Sequence, residues 1–489
     1  MAISKKTVEL LRVATNPVAA PFADYFSYRG RAERKPKAPA FASTAFTVGQ
    51  DARASGVEKV CAAYGVDCKV AGSQSGPVIS KIFMHLKPGT KASTTFQSIA
   101  KDLARDLDCA SIEVNGNDYF PSINPYTNIQ KSRCCSISIP VNDRKVVPFG
   151  NIFNSPCAGM EIPAVIGVDP VGTPVHIDLA KAKHLLVAGQ TGSGKSVCIN
   201  SIISSVYLSM PTDMVRFLLI DPKQVELKPY EALPNVINGR AITDPMEAVL
   251  SIGWLVSLME YRYSVLAALN FRNIKDFNAA VENREKIFTI PAGQRRKMPY
   301  VVAVVDEFAD LMMTASAELT AFVMRIAQKA RAVGIHLVLA TQRPSTQVVT
   351  GNLKGNLPTR IAFKVASATD SMTIIDHGGA EKLLGYGDML LKTDDSSDPR
   401  RLHGCLLTDQ ELEAILALAA KADRMDYEDA GNFLDVNFAE PFAPTINGIP
   451  SWAKDAPAMV NLGLAGKLLK DTRNEAEIMA AARALKLIA

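Results

Sequence analysis

Residues Gly189-Gln190-Thr191-Gly192-Ser193-Gly194-Lys195-Ser196 are the part of the chain whose types and spacing most directly specify chemistry. The glycines let the backbone fold around a phosphate with successive N–H groups turned inward. Lys195 is placed to reach the β- and γ-phosphates of a nucleotide, and Ser196 to hold Mg²⁺. Context turns this pattern into a mechanism. The apolar run His184-Leu185-Leu186-Val187-Ala188 reads as a strand feeding the loop. Val197–Leu208 reads as the helix after it, and its N-terminus adds a positive dipole. Gly189 to Val197 are therefore the candidate nucleotide-binding positions, with ATP and Mg²⁺ as the expected cofactors.

A second group completes a hydrolytic site. Val301-Val302-Ala303-Val304-Val305 runs into Asp306-Glu307, five β-forming residues ending in two adjacent carboxylates. Asp306 would join Ser196 in the Mg²⁺ shell, and Glu307 would polarise the attacking water. An acidic pair after a core strand can also simply cap a helix, but a complete phosphate loop earlier in the chain favours the catalytic reading. A glutamate beside the metal aspartate points to hydrolysis rather than phosphoryl transfer to a small acceptor.

The elements that must position these groups follow from the apolar pattern. From about residue 161 to 420, short β-rich runs alternate with amphipathic helices, as in an α/β domain with a mostly parallel sheet. Leu185–Ala188, Val215–Ile220, Tyr300–Val305 and Ile335–Ala340 read as its buried strands. A small α+β domain is expected at 56–160. In it, 76–86 alternates as a half-buried strand, Phe96–Leu107 has helical spacing and Ser136–Pro140 reads as another strand. Residues 1–55 read as an arm or linker with a short helix near Thr7–Arg12. Residues 421–489 read as an extension closing with a helix over Asn474–Leu487.

Bulk properties set limits. The 489 residues exceed one ordinary domain, and 48% hydrophobic with 21% charged is a globular composition. No stretch reaches the ~20 apolar residues of a membrane helix, and no signal peptide is recognisable, so the expected compartment is the cytoplasm. The eight cysteines form no CxxC pair and read as reduced, mostly buried thiols. The net charge of +5 permits a nucleic-acid partner without requiring one. The cluster Arg29, Arg31, Arg34, Lys35, Lys37 reads either as a solvated tail or as an arm grazing DNA.

Several linked segments resemble the FtsK/SpoIIIE family of hexameric double-stranded DNA translocases. They include Ile220-Asp221-Pro222-Lys223-Gln224-Val225-Glu226-Leu227, Met259-Glu260-Tyr261-Arg262-Tyr263, the Asp306-Glu307 segment through Met312, and Ala327–His336. Leu339–Ser345, Pro358–Phe363 and Leu384–Leu390 continue the match, and Gly76–Leu107 looks like the family's α domain. The resemblance spans roughly residues 57–420. It implies a RecA-like P-loop motor domain, a homo-oligomeric ring, double-stranded DNA as partner and ATP hydrolysis coupled to DNA translocation. A conjugation or packaging ATPase of the same superfamily is the alternative.

The resemblance also implies roles. Arg331 would reach the γ-phosphate held by a neighbouring subunit, with a surface or structural arginine as the alternative. Gln342 would sense the γ-phosphate, or else serve as a turn amide. Apart from the resemblance, Asp221 and Lys223 follow a strand end, at the edge where ligands bind in open α/β sheets, and would link the nucleotide to ring contacts or form a plain ion pair. The segment from Arg343 to Arg360 carries Arg343, Lys354 and Arg360 among small polar residues and would face the pore as the DNA-binding element. Arg360 opens an apolar run and is equally open to a structural role. The chain departs from the family pattern in lacking recognisable membrane helices and a recognisable C-terminal DNA-reading domain. That architecture fits a compact motor of a phage, plasmid or other mobile element.

Overall fold

The computed structural model describes residues 51–420 apart from 91, 110–111, 129–132, 142–143, 284–296 and 397, together with 36, 38, 39, 41, 445–446 and 449–450. The helices expected near Thr7–Arg12 and over Asn474–Leu487, and the basic cluster Arg29–Arg34 with Lys35 and Lys37, lie outside the described residues.

The first folded unit is an antiparallel sheet of β1 (Cys68–Ser75), β2 (Ile79–Leu86), β3 (Glu113–Tyr119) and β4 (Arg133–Pro140), in the order β1-β2-β4-β3. Helices α1 (Ala54–Ala63) and α2 (Ala92–Asp106) belong to the same unit, whose core includes Val57, Cys61, Ile82, Met84, Leu103, Ile137 and Ile139. The single strand expected over 76–86 is shorter than its pattern suggested. Gly76 N–H donates to Ile79 O at 2.9 Å, so 76–78 form the turn of a β1–β2 hairpin. Both edge strands went unread. CKVAGSQS and EVNGNDY are polar because an edge strand buries little, and so they carry almost no alternation.

The second sheet has nine strands in the order β6-β5-β13-β12-β11-β7-β10-β9-β8. Its parallel half consists of β7 (Leu185–Ala188), β8 (Val215–Ile220), β9 (Tyr300–Val305), β10 (Ile335–Thr341) and β11 (Thr359–Phe363). Every residue of these strands is buried, which is why they read as predominantly apolar runs, interrupted by Arg216 in β8, His336 in β10 and Thr359-Arg360 in β11. Four antiparallel strands widen the sheet beyond β11: β5 (Pro163–Val168), β6 (Pro174–Asp178), β12 (Asp388–Lys392) and β13 (Arg400–Gly404).

Helix α3 (Lys195–Ser209) is buried nearly all round. Its small Ser205 accepts a hydrogen bond from Val165 N–H at 2.9 Å, tying the helix to β5. Helix α4 (Pro245–Ala268) starts with the Asp244 side chain capping Glu247 N–H and proline in the first turn. Near its other end Arg262 is fully buried and donates to Val333 O (2.6 Å) and Pro299 O (2.7 Å). Those bonds fix the entries to β10 and β9. Helix α5 (Ile274–Glu282) follows, and α6 (Phe308–Lys329) packs along α4 with Arg325 paired to Glu260 at 3.0 Å.

His184 and His336 stand at the N-terminal ends of β7 and β10, both buried. Leu337 N–H donates to His184 Nδ1, and His336 Nδ1 lies 2.8 Å from Lys183 O. Burial pushes His184 down to about 3 and His336 to about 4. In the unfolded chain both take up a proton as pH falls through about 6.5, while the folded protein stays neutral there. Their contribution is therefore complete above that pH and is lost as pH falls towards the folded values. Chemical denaturation at pH 7.5 and 5.5 should show a loss on the order of 1 kcal/mol per histidine, diminished in His184→Asn and His336→Asn.

Candidate functional site

The phosphate loop leaves the C-terminal end of β7 and is pinned on three sides. Gly189 N–H donates to Thr341 O (3.2 Å) at the end of β10, and Gln190 N–H donates to Lys364 O (2.9 Å) just past β11. Gly387 N–H donates to Ser193 O at 2.9 Å. Gly194 has φ +113°, and a Cβ there would lie 2.7 Å from Gly387 N and 2.8 Å from its Cα. Conformation and close backbone approach thus both require glycine at this position.

The sheet order brings the sequence-identified groups together. Lys195 Nζ lies 2.7 Å from Asp306 Oδ1 and donates also to Asp306 O at 3.0 Å. Both side chains are at most 3% exposed. Glu307 is 1% exposed, and its carboxylate accepts from Thr341 Oγ1 (2.7 Å), Gln342 N–H (3.1 and 3.2 Å) and Lys223 Nζ (3.4 Å). Gln342 Oε1 accepts in turn from Thr191 Oγ1 at 2.8 Å. Ser196 Oγ donates to Glu226 Oε1 at 2.7 Å. Asp306 Oδ2 is buried with no hydrogen-bond partner among the described residues, a hard oxygen suited to a divalent cation.

The phosphate loop and Gln342 border a cavity of about 510 Å³ lined by Gln190, Thr191, Gly192, Gly194, Lys195, Ser196, Val197 and Gln342. Its other wall was not foreseen. Val146, Tyr386 and Leu406 line it while remaining 61%, 86% and 39% exposed. Apolar surface next to a phosphate loop suits a flat nucleobase. These residues come from separate loops, so no local pattern marked them. His403 and Cys405 also line this wall. Burial pushes His403 down to about 4 and Cys405 up to about 12, so both are neutral near pH 7.

Asp221 and Lys223 do not pair with each other through their charges. The buried Asp221 carboxylate accepts the backbone N–H groups of Lys223, Gln224, Val225 and Leu227 at 2.9–3.1 Å, which leaves the Lys223 ammonium free to reach Glu307.

Other expected residues lie elsewhere. Arg331 is exposed, in the turn leading into the N-terminal end of β10, and its Nε donates to Ala180 O at 3.3 Å. The phosphate loop follows the C-terminal end of β7, which runs parallel to β10. The full length of a strand, roughly 20 Å, therefore separates Arg331 from its own subunit's phosphate loop. Arg343 is exposed. Lys354 Nζ is paired with Asp376 Oδ1 at 2.6 Å. Arg360 is buried and donates to Leu357 O, Ile374 O and Asp376 Oδ2. A buried guanidinium already donating to three acceptors favours the structural one of the two readings over contact with a DNA phosphate.

A phosphate loop on β7, an acidic pair at the end of β9 and an amide beyond β10 define the RecA-like P-loop class. The FtsK/SpoIIIE family profile matches residues 158–346, and that of the FtsK alpha domain matches 40–118. The chain is 41% identical over 387 residues to the DNA translocase FtsK of Haemophilus influenzae, covering 76% of this chain and 71% of that protein. It therefore belongs to the FtsK/SpoIIIE family. It is 40% identical over 386 residues to DNA translocase FtsK 2 of Neisseria meningitidis, covering 76% of this chain but only 37% of that relative. The chain thus spans well under half the length of several curated relatives it matches. Among solved structures, the monomer form of the pCW3 conjugation coupling protein TcpA with ATPγS shares the fold. Its TM-score is 0.50 at 22% identity, covering 75% of this chain and 99% of that one. No helix among the described residues is long and apolar enough to cross a membrane.

Gly194→Ala should leave the protein folded but weaken nucleotide binding by at least about tenfold, because the loop must shift away from Gly387. Titration with a fluorescent ATP analogue, with circular dichroism as the folding control, checks this.

Proposed function

We propose that this chain is an ATP-driven double-stranded DNA translocase, a motor that acts as a homo-oligomeric ring and hydrolyses ATP where subunits meet. The observation that carries this reading is that Lys195 and Gln342 line one cavity while holding Asp306 and Glu307 by hydrogen bonds, with Arg331 at the far edge of the same sheet. Within one subunit Arg331 cannot reach the phosphates. In a head-to-tail ring that edge can face the next subunit's nucleotide, and arginines used in this way contribute ~10³–10⁵ in rate. A ring of six is what the family resemblance implies.

The loop N–H groups and the Lys195 ammonium would bind the β- and γ-phosphates, drawing that ammonium from Asp306. Ser196 and Asp306 are the residues that would hold Mg²⁺, which when bound neutralises phosphate charge. Asp306 Oδ2 fits that use. Glu307 would orient and polarise the attacking water, and Gln342 would couple its position to the γ-phosphate. Val146, Tyr386 and Leu406 would cover the base.

For DNA, the reading narrows to Arg343 and the exposed small polar residues Ser345, Thr346, Gln347, Gly351 and Asn352. Such groups bind backbone phosphates without reading bases, which suits a motor that must pass any sequence. Lys354 would join them only by leaving Asp376.

Triplex displacement on blunt linear duplex tests the proposal. Wild type should displace the third strand with ATP, and Lys195→Ala should not. ATP turnover insensitive to duplex DNA, or stimulated by single strands alone, would overturn it.

A further inference from the structure

The loop between β8 and the segment at Leu227 touches two catalytic groups at once, and its shape is set by a single buried side chain. Asp221 is fully buried. Its Oδ1 accepts from the N–H groups of Lys223 (3.1 Å) and Gln224 (3.0 Å), and its Oδ2 accepts from those of Val225 (2.9 Å) and Leu227 (3.0 Å). Gln224 takes a left-handed φ of +59° to complete the wrap. A charged acceptor holding four amides makes a loop stiff, since charge-assisted bonds are stronger than neutral ones. Two side chains leave this loop towards the site: Lys223 reaches Glu307 Oε2 at 3.4 Å and Asp310 at 3.9 Å, and Glu226 accepts the Ser196 hydroxyl proton at 2.7 Å.

We propose that residues 221–227 form a positioning loop in which Glu226 orients the Ser196 hydroxyl towards Mg²⁺ and Lys223 holds Glu307 in place. This rests on the ATPase reading above and adds the residues that aim its parts. A serine hydroxyl has one proton and two lone pairs. With the proton committed to Glu226, the lone pairs are left for the cation and the oxygen becomes more electron-rich. Carboxylates that orient a metal ligand in this way typically change metal affinity 10–100-fold when lost. Lys223 acts on the other carboxylate. With the Thr341 hydroxyl and the Gln342 N–H, it fixes the direction in which the Glu307 carboxylate points.

The test uses the full chain and a fluorescent non-hydrolysable ATP analogue, titrated in EDTA and across a Mg²⁺ series. Glu226→Gln should bind the analogue in EDTA as wild type does, while the Mg²⁺ needed for half-maximal enhancement rises by roughly tenfold or more. Glu226→Asp, which keeps the charge on a shorter stem, should fall between the two and carries the test if the glutamine variant loses thermal stability. Lys223→Met should lower kcat with KM unchanged, with Lys223→Arg restoring kcat. Wild-type Mg²⁺ dependence in both Glu226 variants would overturn the proposal while leaving the ATPase reading intact. Failure of wild type to bind the analogue at all would overturn both.

Discussion

The buried contact between the Lys195 ammonium and the Asp306 carboxylate is the constraint around which the motor domain is arranged. Two opposite charges sit 2.7 Å apart, almost wholly out of water, at the end of a sheet whose parallel strands are wholly buried. Removing such groups from water costs several kcal/mol per ion, which their attraction and extra hydrogen bonds must offset. Such a pair is a poor source of stability and a good way to hold reactive groups in register. The same economy extends outward. Glu307 is shared by Thr341, Gln342 and Lys223, Gln342 is tied back to Thr191, and Ser196 to Glu226. Moving any one member leaves a neighbour unpaired, so the groups respond as a unit.

Strand direction explains the division of labour across the domain. Because β7, β9 and β10 are parallel, the loops that follow them meet at one edge and bring together the phosphate loop, Asp306-Glu307 and Gln342. The turns that precede them meet at the opposite edge. There, buried Arg262 binds the carbonyls of Val333 and Pro299, and Gly334, with φ +71°, packs where a Cβ would crowd Ile274 and Tyr300. That packing fixes the turn carrying Arg331. In this way the sheet and its buried helices lie between the phosphate loop and the turn carrying Arg331.

Much of this was legible in the sequence, for identifiable reasons. The phosphate loop is contiguous and bounded by an apolar strand and a helix, and Asp306-Glu307 closes a run of five β-formers. Both signals are local. What escaped is assembled from afar. The role of Glu226 depends on Asp221 winding an aperiodic loop, and the base-side wall gathers Val146, Tyr386 and Leu406 from three loops. The basic segment from Arg343 to Arg360 contains no acidic residue, yet Asp376, in a left-handed helix cap beyond it, engages both Lys354 and Arg360. Composition alone could not anticipate that neutralisation. The polar edge strands β1 and β3 were missed because edge position removes the alternation that reveals a strand.

The central claim is that the hydrolytic site is completed across a subunit boundary. Mixing Arg331→Ala chains with Glu307→Gln chains, each inactive alone, tests it most directly. A shared site gives some interfaces an intact glutamate from one subunit and an intact arginine from the next. ATP turnover should then reappear and peak at equal mixing, where about a quarter of the interfaces are complete if subunits associate at random. Turnover that stays at the level of the separate variants at every ratio would contradict the account.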